Sequence, residues 1–116
     1  MFKRKDKEFL CDIGEAIERI KNYIGKMDYE KFLNDNKTQD AVIRNIEIIG
    51  EAVKNLSQNL KKKYSSIEWK DIAGMRDKII HHYFGIKWEI VWSVIKNKLP
   101  NFREKVKNII EDLENK

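Results

Sequence analysis

Along the first part of the chain, Leu10, Ile13, Ile17, Ile20 and Ile24 recur at alternating steps of three and four. An α-helix turns once every 3.6 residues, so this spacing places all five on one face and predicts an amphipathic helix. Gly25 is expected to stop it, since glycine adopts a left-handed C-terminal conformation without a side-chain clash. A short helix is predicted from Tyr29 to Leu33, capped by Asp28, whose carboxylate can accept from a free backbone N–H of the first turn. From Thr38 onward Val42, Ile46, Ile49, Val53, Leu56 and Leu60 keep a seven-residue repeat. That repeat predicts the longest helix of the chain, with a seam for another long helix in the same chain or in a partner copy. Lys61, Lys62 and Lys63 close it where positive charge suits the helix dipole.

After a loop at Ser65 and Ser66, a brief turn around Trp69 to Ala73 is expected to lead through Gly74 into a helix from about Met75 to Tyr83, broken by Gly85. A further helix carries Trp88, Val91, Trp92 and Ile95. Pro100 opens the last one, at a position where its missing N–H costs nothing, and Phe102, Val106, Ile109 and Leu113 form that helix's apolar stripe. No segment alternates with the two-residue period of a strand. The expected fold is all-α, an antiparallel bundle of four to five helices forming a single helical domain over residues 1–116.

Composition refines this picture. Charged residues make up 37% of the 116 and hydrophobic ones 41%, which favours solvated helix faces around one core. The net charge of +5 suits a nucleic acid or an acidic protein as partner. Cys11 is the only cysteine, so neither an internal disulfide nor a cysteine metal cluster is available; beside Leu10 and Ile13 it reads as a small core hydrophobe. The first six residues, Met-Phe-Lys-Arg-Lys-Asp, lack the apolar stretch of a signal peptide, and no apolar run is long enough to span a bilayer. A cytoplasmic protein without membrane association is expected, and the sequon at Asn55-Leu56-Ser57 carries no meaning there.

Familiar site signatures are missing: no glycine-rich phosphate loop, no His-Glu-x-x-His, no calcium loop. His81 and His82 are the only histidines, and neighbours on a helix point about 100° apart, so joint metal ligation is awkward and no metal or other cofactor is expected. Residues 76–83 remain the best place for chemistry. On a helix, Arg76, Ile80 and Tyr83 share a stripe, while Asp77 and His81 sit one turn apart on the next. Asp77 can hold one imidazole nitrogen of His81 and free the other for proton transfer. Arg76 and His81 lie about 140° apart around the axis, so both reach one phosphate only through the length of the arginine and an early helix end.

This group suits metal-free RNA cleavage. His81 would take the proton of the ribose 2′-hydroxyl or deliver one to the leaving 5′-oxygen. Arg76 would grip the scissile phosphate, and Tyr83 would orient that phosphate or stack on a base. One histidine cannot easily serve as both base and acid, and a homodimer would bring a second. The plainer reading makes His82 a boundary residue, Trp69, Trp88 and Trp92 core anchors, and the lysine run a solvated helix end. It also makes Arg44, Glu47, Glu51 and Lys54 surface ion pairs of the long helix.

The segment Arg76-x-x-x-x-His81-x-Tyr83 resembles the motif of HepT-like ribonuclease toxins, helical proteins of the HEPN superfamily. Residues 41–52, ending Gly50-Glu51-Ala52, resemble that family's second-helix block. Residues 69–77 resemble the lead-in to its motif, residues 83–86 the exit, and residues 92–100 the final segment. The resemblance implies a dimerising helical fold with the arginine and histidine at the dimer cleft. It also implies a metal-independent endoribonuclease, the toxin of a two-gene toxin–antitoxin pair. The implied partner is a minimal nucleotidyltransferase antitoxin that adds AMP to the motif tyrosine, here Tyr83. Asp77 stands where the family often has asparagine, and His82 where a small residue is common. Glu51 is a candidate supporting polar residue. Two other functions remain open: a non-catalytic module that presents nucleotide or substrate to a nucleotidyltransferase, and a plain dimeric scaffold built on the Val42 to Leu60 seam.

Overall fold

The computed structural model describes the backbone of residues 2–80 and 85–115 and the side chains of residues 5–79 and 85–115. The elements are α1 (Phe2–Ile24), α2 (Tyr29–Leu33), α3 (Asn36–Asn55), α4 (Gln58–Lys63), α5 (Trp69–Ile80), α6 (Trp88–Ser93) and α7 (Leu99–Glu114). A π-helical turn, Val94–Lys98, joins α6 to α7. No strand occurs among the described residues, and the all-α expectation holds.

Local signals act where they were expected. Gly25 ends α1 with φ +53°. Asp28 caps α2 by accepting from the Lys31 N–H at 2.8 Å. The α1 stripe of Leu10, Ile13, Ile17, Ile20 and Ile24 is buried throughout. So are Val42, Ile46, Ile49, Val53, Leu56 and Leu60, all within this one chain. The heptad seam is therefore consumed by the chain's own core, which removes the support it lent to a plain dimeric scaffold.

Four expectations need correction. The predicted longest helix is two, α3 and α4, and α1 with 23 residues exceeds both. Its break lies at Leu56, whose backbone is extended. The Asp6 carboxylate accepts from the Ser57 N–H at 2.9 Å and from its hydroxyl at 2.6 Å, while Ser57 Oγ caps Leu60. This tether fixes α1 and α3 as antiparallel neighbours, the start of one against the end of the other. Second, α3 begins at Asn36 rather than Thr38, because Asp35 is the cap and Thr38 N–H donates to it at 3.0 Å. Third, Trp69 already starts α5, and Gly74 lies inside that helix rather than before it. Fourth, Cys11 is exposed, one residue off the buried stripe and hence about 100° around the helix. Pro100 stands in the first turn of α7, as expected of a proline that opens the last helix. The π turn, in which the Leu99 N–H reaches the Val94 carbonyl, carries the chain from α6 into α7.

The other end of the core is aromatic. Phe32 is fully buried and meets the rings of Trp88 and Trp92 at 5.7 and 5.3 Å between centroids. Trp69 packs edge-on against Phe102 and donates its indole N–H to the Tyr64 carbonyl. Ion pairs of Lys7 with Glu114 and of Glu18 with Arg103 set α7 antiparallel to α1. Among the described residues, no helix is long and apolar enough to cross a membrane.

Candidate functional site

The site begins with a missing side chain. A Cβ placed on Gly50 of α3 would stand 3.2 Å from the Arg76 Cβ and 3.6 Å from the Ala73 carbonyl oxygen of α5. Only glycine lets the two backbones approach this closely without a shift. The crossing lays the stem of Arg76 over α3 and leaves its side chain about one-third exposed.

Arg76 lines a cavity with Phe9 and Asp12 of α1 and with Arg44, Glu47, Glu51 and Asn55 of α3. Its Nε is buried and has no hydrogen-bond partner among the described residues. Its Nη1 approaches Asp77 at 3.5 Å, a long contact between neighbours on the helix, with the two side chains 33% and 44% exposed. An exposed pair of that geometry holds the guanidinium weakly. The arginine is positioned by its stem and leaves donors to spare.

Of the sequence-predicted residues, Arg76 and Glu51 share this cavity, and Asp77 stands beside Arg76 on α5. The expected ion pairs of Arg44, Glu47, Glu51 and Lys54 do not form among the described residues. Arg44, Glu47 and Glu51 line the Arg76 cavity instead. His81, His82 and Tyr83 lie outside the described residues, and so do the expected Asp77–His81 contact and the Tyr83 stripe. Phe9, Asp12, Arg44 and Asn55 were not expected at the site, because nothing local in α1 or α3 announces a neighbour on α5. Gly50 was the available signal: a glycine inside an otherwise strong helix points to a close approach.

Two guanidinium groups face three carboxylates here. Arg44 and Arg76 attract a phosphate, whereas Asp12, Glu47 and Glu51 accept only from donors such as hydroxyl or amino groups. A ligand carrying both an anionic group and donors, as a nucleotide does, matches this mixture. At the start of α5 a different polar contact anchors the helix. Asp71 is held below its ordinary value of 3.8, first by the hydrogen bond from the Lys98 ammonium, then by its charge and by Lys78.

The chain is thus an all-helical protein with a polar cleft lined by α1, α3 and α5, in which two arginines stand beside three carboxylates. Residues 13–109 match the family model for HepT-like ribonucleases, and the chain belongs to that family. Two proteins of Methanocaldococcus jannaschii, each bearing the name "Putative RNase", are 47% and 45% identical to it. The first alignment spans 98% of this chain and 94% of that protein, and the second spans both chains in full. The "Probable ribonuclease HepT" of Thermococcus cleftensis is 44% identical over 92% of this chain and 97% of its own. No solved structure matches significantly.

Proposed function

We propose that this protein is a metal-independent endoribonuclease, acting as the toxin of a two-gene system. The observation that carries the proposal is the Arg76 guanidinium, fixed by its stem at the Gly50 crossing with an Nε unpartnered among the described residues, in a chain of the HepT-like ribonuclease family. Arg76 binds the scissile phosphate and offsets the charge that grows on it. His81 removes the 2′-hydroxyl proton, the 2′-oxygen attacks phosphorus, and a cyclic phosphate forms as the 5′-oxygen leaves with a proton. A homodimer supplies the second histidine as acid. Asp77 and Glu51 support the pair, and the antitoxin is a minimal nucleotidyltransferase that silences the site by adding AMP to Tyr83. An anionic adduct on that tyrosine would compete with RNA for Arg76.

A second reading, a non-catalytic module that presents a nucleotide, draws on Asp12, Glu47 and Glu51, which oppose a bound phosphate. One experiment separates the two. The purified protein is incubated with RNA in EDTA beside Arg76→Ala and His81→Ala. Cleavage by the wild type and its loss in both variants is expected. No cleavage, or equal cleavage by all three, rejects the catalytic reading; growth arrest without the partner should follow cleavage.

A further inference from the structure

A shallow groove between the end of α4 and the start of α5 is lined by Lys61, Lys62, Ser65, Trp69 and Lys70. We propose that this groove binds the single-stranded RNA flanking the cleavage point, an inference that rests on the ribonuclease reading above.

Positive charge is in excess there. Among the described residues Lys61, Lys62 and Lys70 make no ion pair, unlike Lys7, Lys78 and Lys98 elsewhere. Helix α4, Gln-Asn-Leu-Lys-Lys-Lys, contains no acidic residue. Of the two acids at the groove, Asp71 is taken by Lys98 and Lys78, leaving Glu68 alone against three free lysines. Holding like charges together without counter-ions favours a polyanion, which releases its own bound cations when they are neutralised.

Its chemistry points to nucleic acid rather than to an acidic protein. Protein interfaces are anchored by exposed apolar or aromatic side chains. Among the described residues, the exposed large hydrophobics Tyr23, Leu33 and Ile90 lie outside this groove, and its aromatic, Trp69, is only 7% exposed. A phosphate backbone needs no such anchor. The groove also shares a helix with the candidate site: Lys70 precedes Arg76 by six residues, about 9 Å along α5. A strand gripped at Arg76 and continued around α5 meets the lysines next.

The test compares the wild type with the triple variant Lys61→Gln, Lys62→Gln, Lys70→Gln, first shown to fold by circular dichroism. Binding of a fluorescein-labelled 20-nucleotide 2′-O-methyl RNA is followed by anisotropy over a salt series, and cleavage is measured on an unmodified 20-mer and on a dinucleotide. The variant should bind at least tenfold more weakly, with a salt slope reduced by about 2, given about 0.7 per phosphate contact on a single strand. It should cleave the dinucleotide at the wild-type rate. Unchanged affinity and slope overturn the proposal, and so does RNA binding that persists while binding to polyglutamate is lost. If the wild type binds RNA through these lysines yet cleaves nothing, the groove stands and the ribonuclease reading falls. Cleavage of the 20-mer that ignores the lysines does the reverse.

Discussion

Adding one methyl group at Gly50 sets two effects of similar size against each other. Alanine in a helix interior is favoured over glycine by about 1 kcal/mol, because it loses less backbone freedom on folding. Against this, the new Cβ would lie 3.2 Å from the Arg76 Cβ, whereas carbon atoms settle at about 3.5–4.0 Å. The Arg76 Cβ is bonded to the backbone and cannot rotate away, so α5 itself has to retreat by a few tenths of an ångström. Overpacking of this kind costs about 1–3 kcal/mol. The net effect of Gly50→Ala is a loss of up to about 2 kcal/mol, or a melting temperature lowered by up to about 8 °C. Function should suffer more than stability. A misplacement of about 1 Å costs catalysis roughly a hundredfold, so a few tenths predicts a drop of roughly tenfold in kcat/KM. The control is Gly14→Ala in α1, where an added Cβ meets nothing within 4 Å and should raise stability by about 1 kcal/mol. Thermal unfolding at one protein concentration and initial rates on a short RNA measure both. If Gly50→Ala gains stability as Gly14→Ala does and cleaves at the wild-type rate, Gly50 does not position Arg76.

Phe32→Ala should destabilise by about 3–5 kcal/mol and abolish much of the near-ultraviolet dichroism of Trp88 and Trp92, since Phe32 is fully buried between them; a loss under about 1 kcal/mol would contradict the packing. Asp6→Ala should cost about 1–3 kcal/mol in urea unfolding, and Ser57→Ala about 1 kcal/mol. Because they share one hydrogen-bonded unit, the double variant should lose less than the sum; strict additivity would show that Asp6 does not act through Ser57. Asp35 and Asp71 both titrate below 3.8 in the folded state, Asp35 chiefly through the Thr38 N–H and Asp71 through Lys98. Protons therefore bind the unfolded chain first: the stability these groups add is present above about pH 4 and is lost as pH falls through their lowered values. Asp35→Asn with Asp71→Asn should flatten the acid limb of a pH–stability curve, and an unchanged limb would refute the assignment.

What the sequence discloses here divides by distance along the chain. The α1 stripe, the Gly25 stop and the Asp28 cap are each set by residues within a few turns, and each was legible from spacing alone. The break at Leu56 was not, because the hydrophobic repeat runs through it without a gap. What ends α3 is the Asp6 carboxylate, 51 residues away, claiming the Ser57 N–H and hydroxyl. The start of α5 escaped for a related reason. Gly74 signals a break by propensity, but the tertiary packing of Trp69 against Phe102 keeps the helix running through it.

The candidate site follows the same division with sharper consequences. Spacing could nominate Arg76 and arrange its neighbours on α5, yet it could not say what α5 faces. That is decided at Gly50, where the absent side chain lets the arginine stem cross α3 and brings Arg44, Glu47 and Glu51 around its head. Residues that looked like a solvated polar face become the electrostatic surroundings of the guanidinium. Their mixed signs carry a chemical implication. A cleft with arginines alone would hold any phosphate, whereas three carboxylates beside them penalise a bare anion and favour one that also brings hydroxyl or amino donors. Ribose hydroxyls and base amino groups supply such donors at several positions around the phosphate. Under the proposed ribonuclease reading, a preference for RNA over simple anions would draw on the carboxylates of α1 and α3 as well as on the arginines.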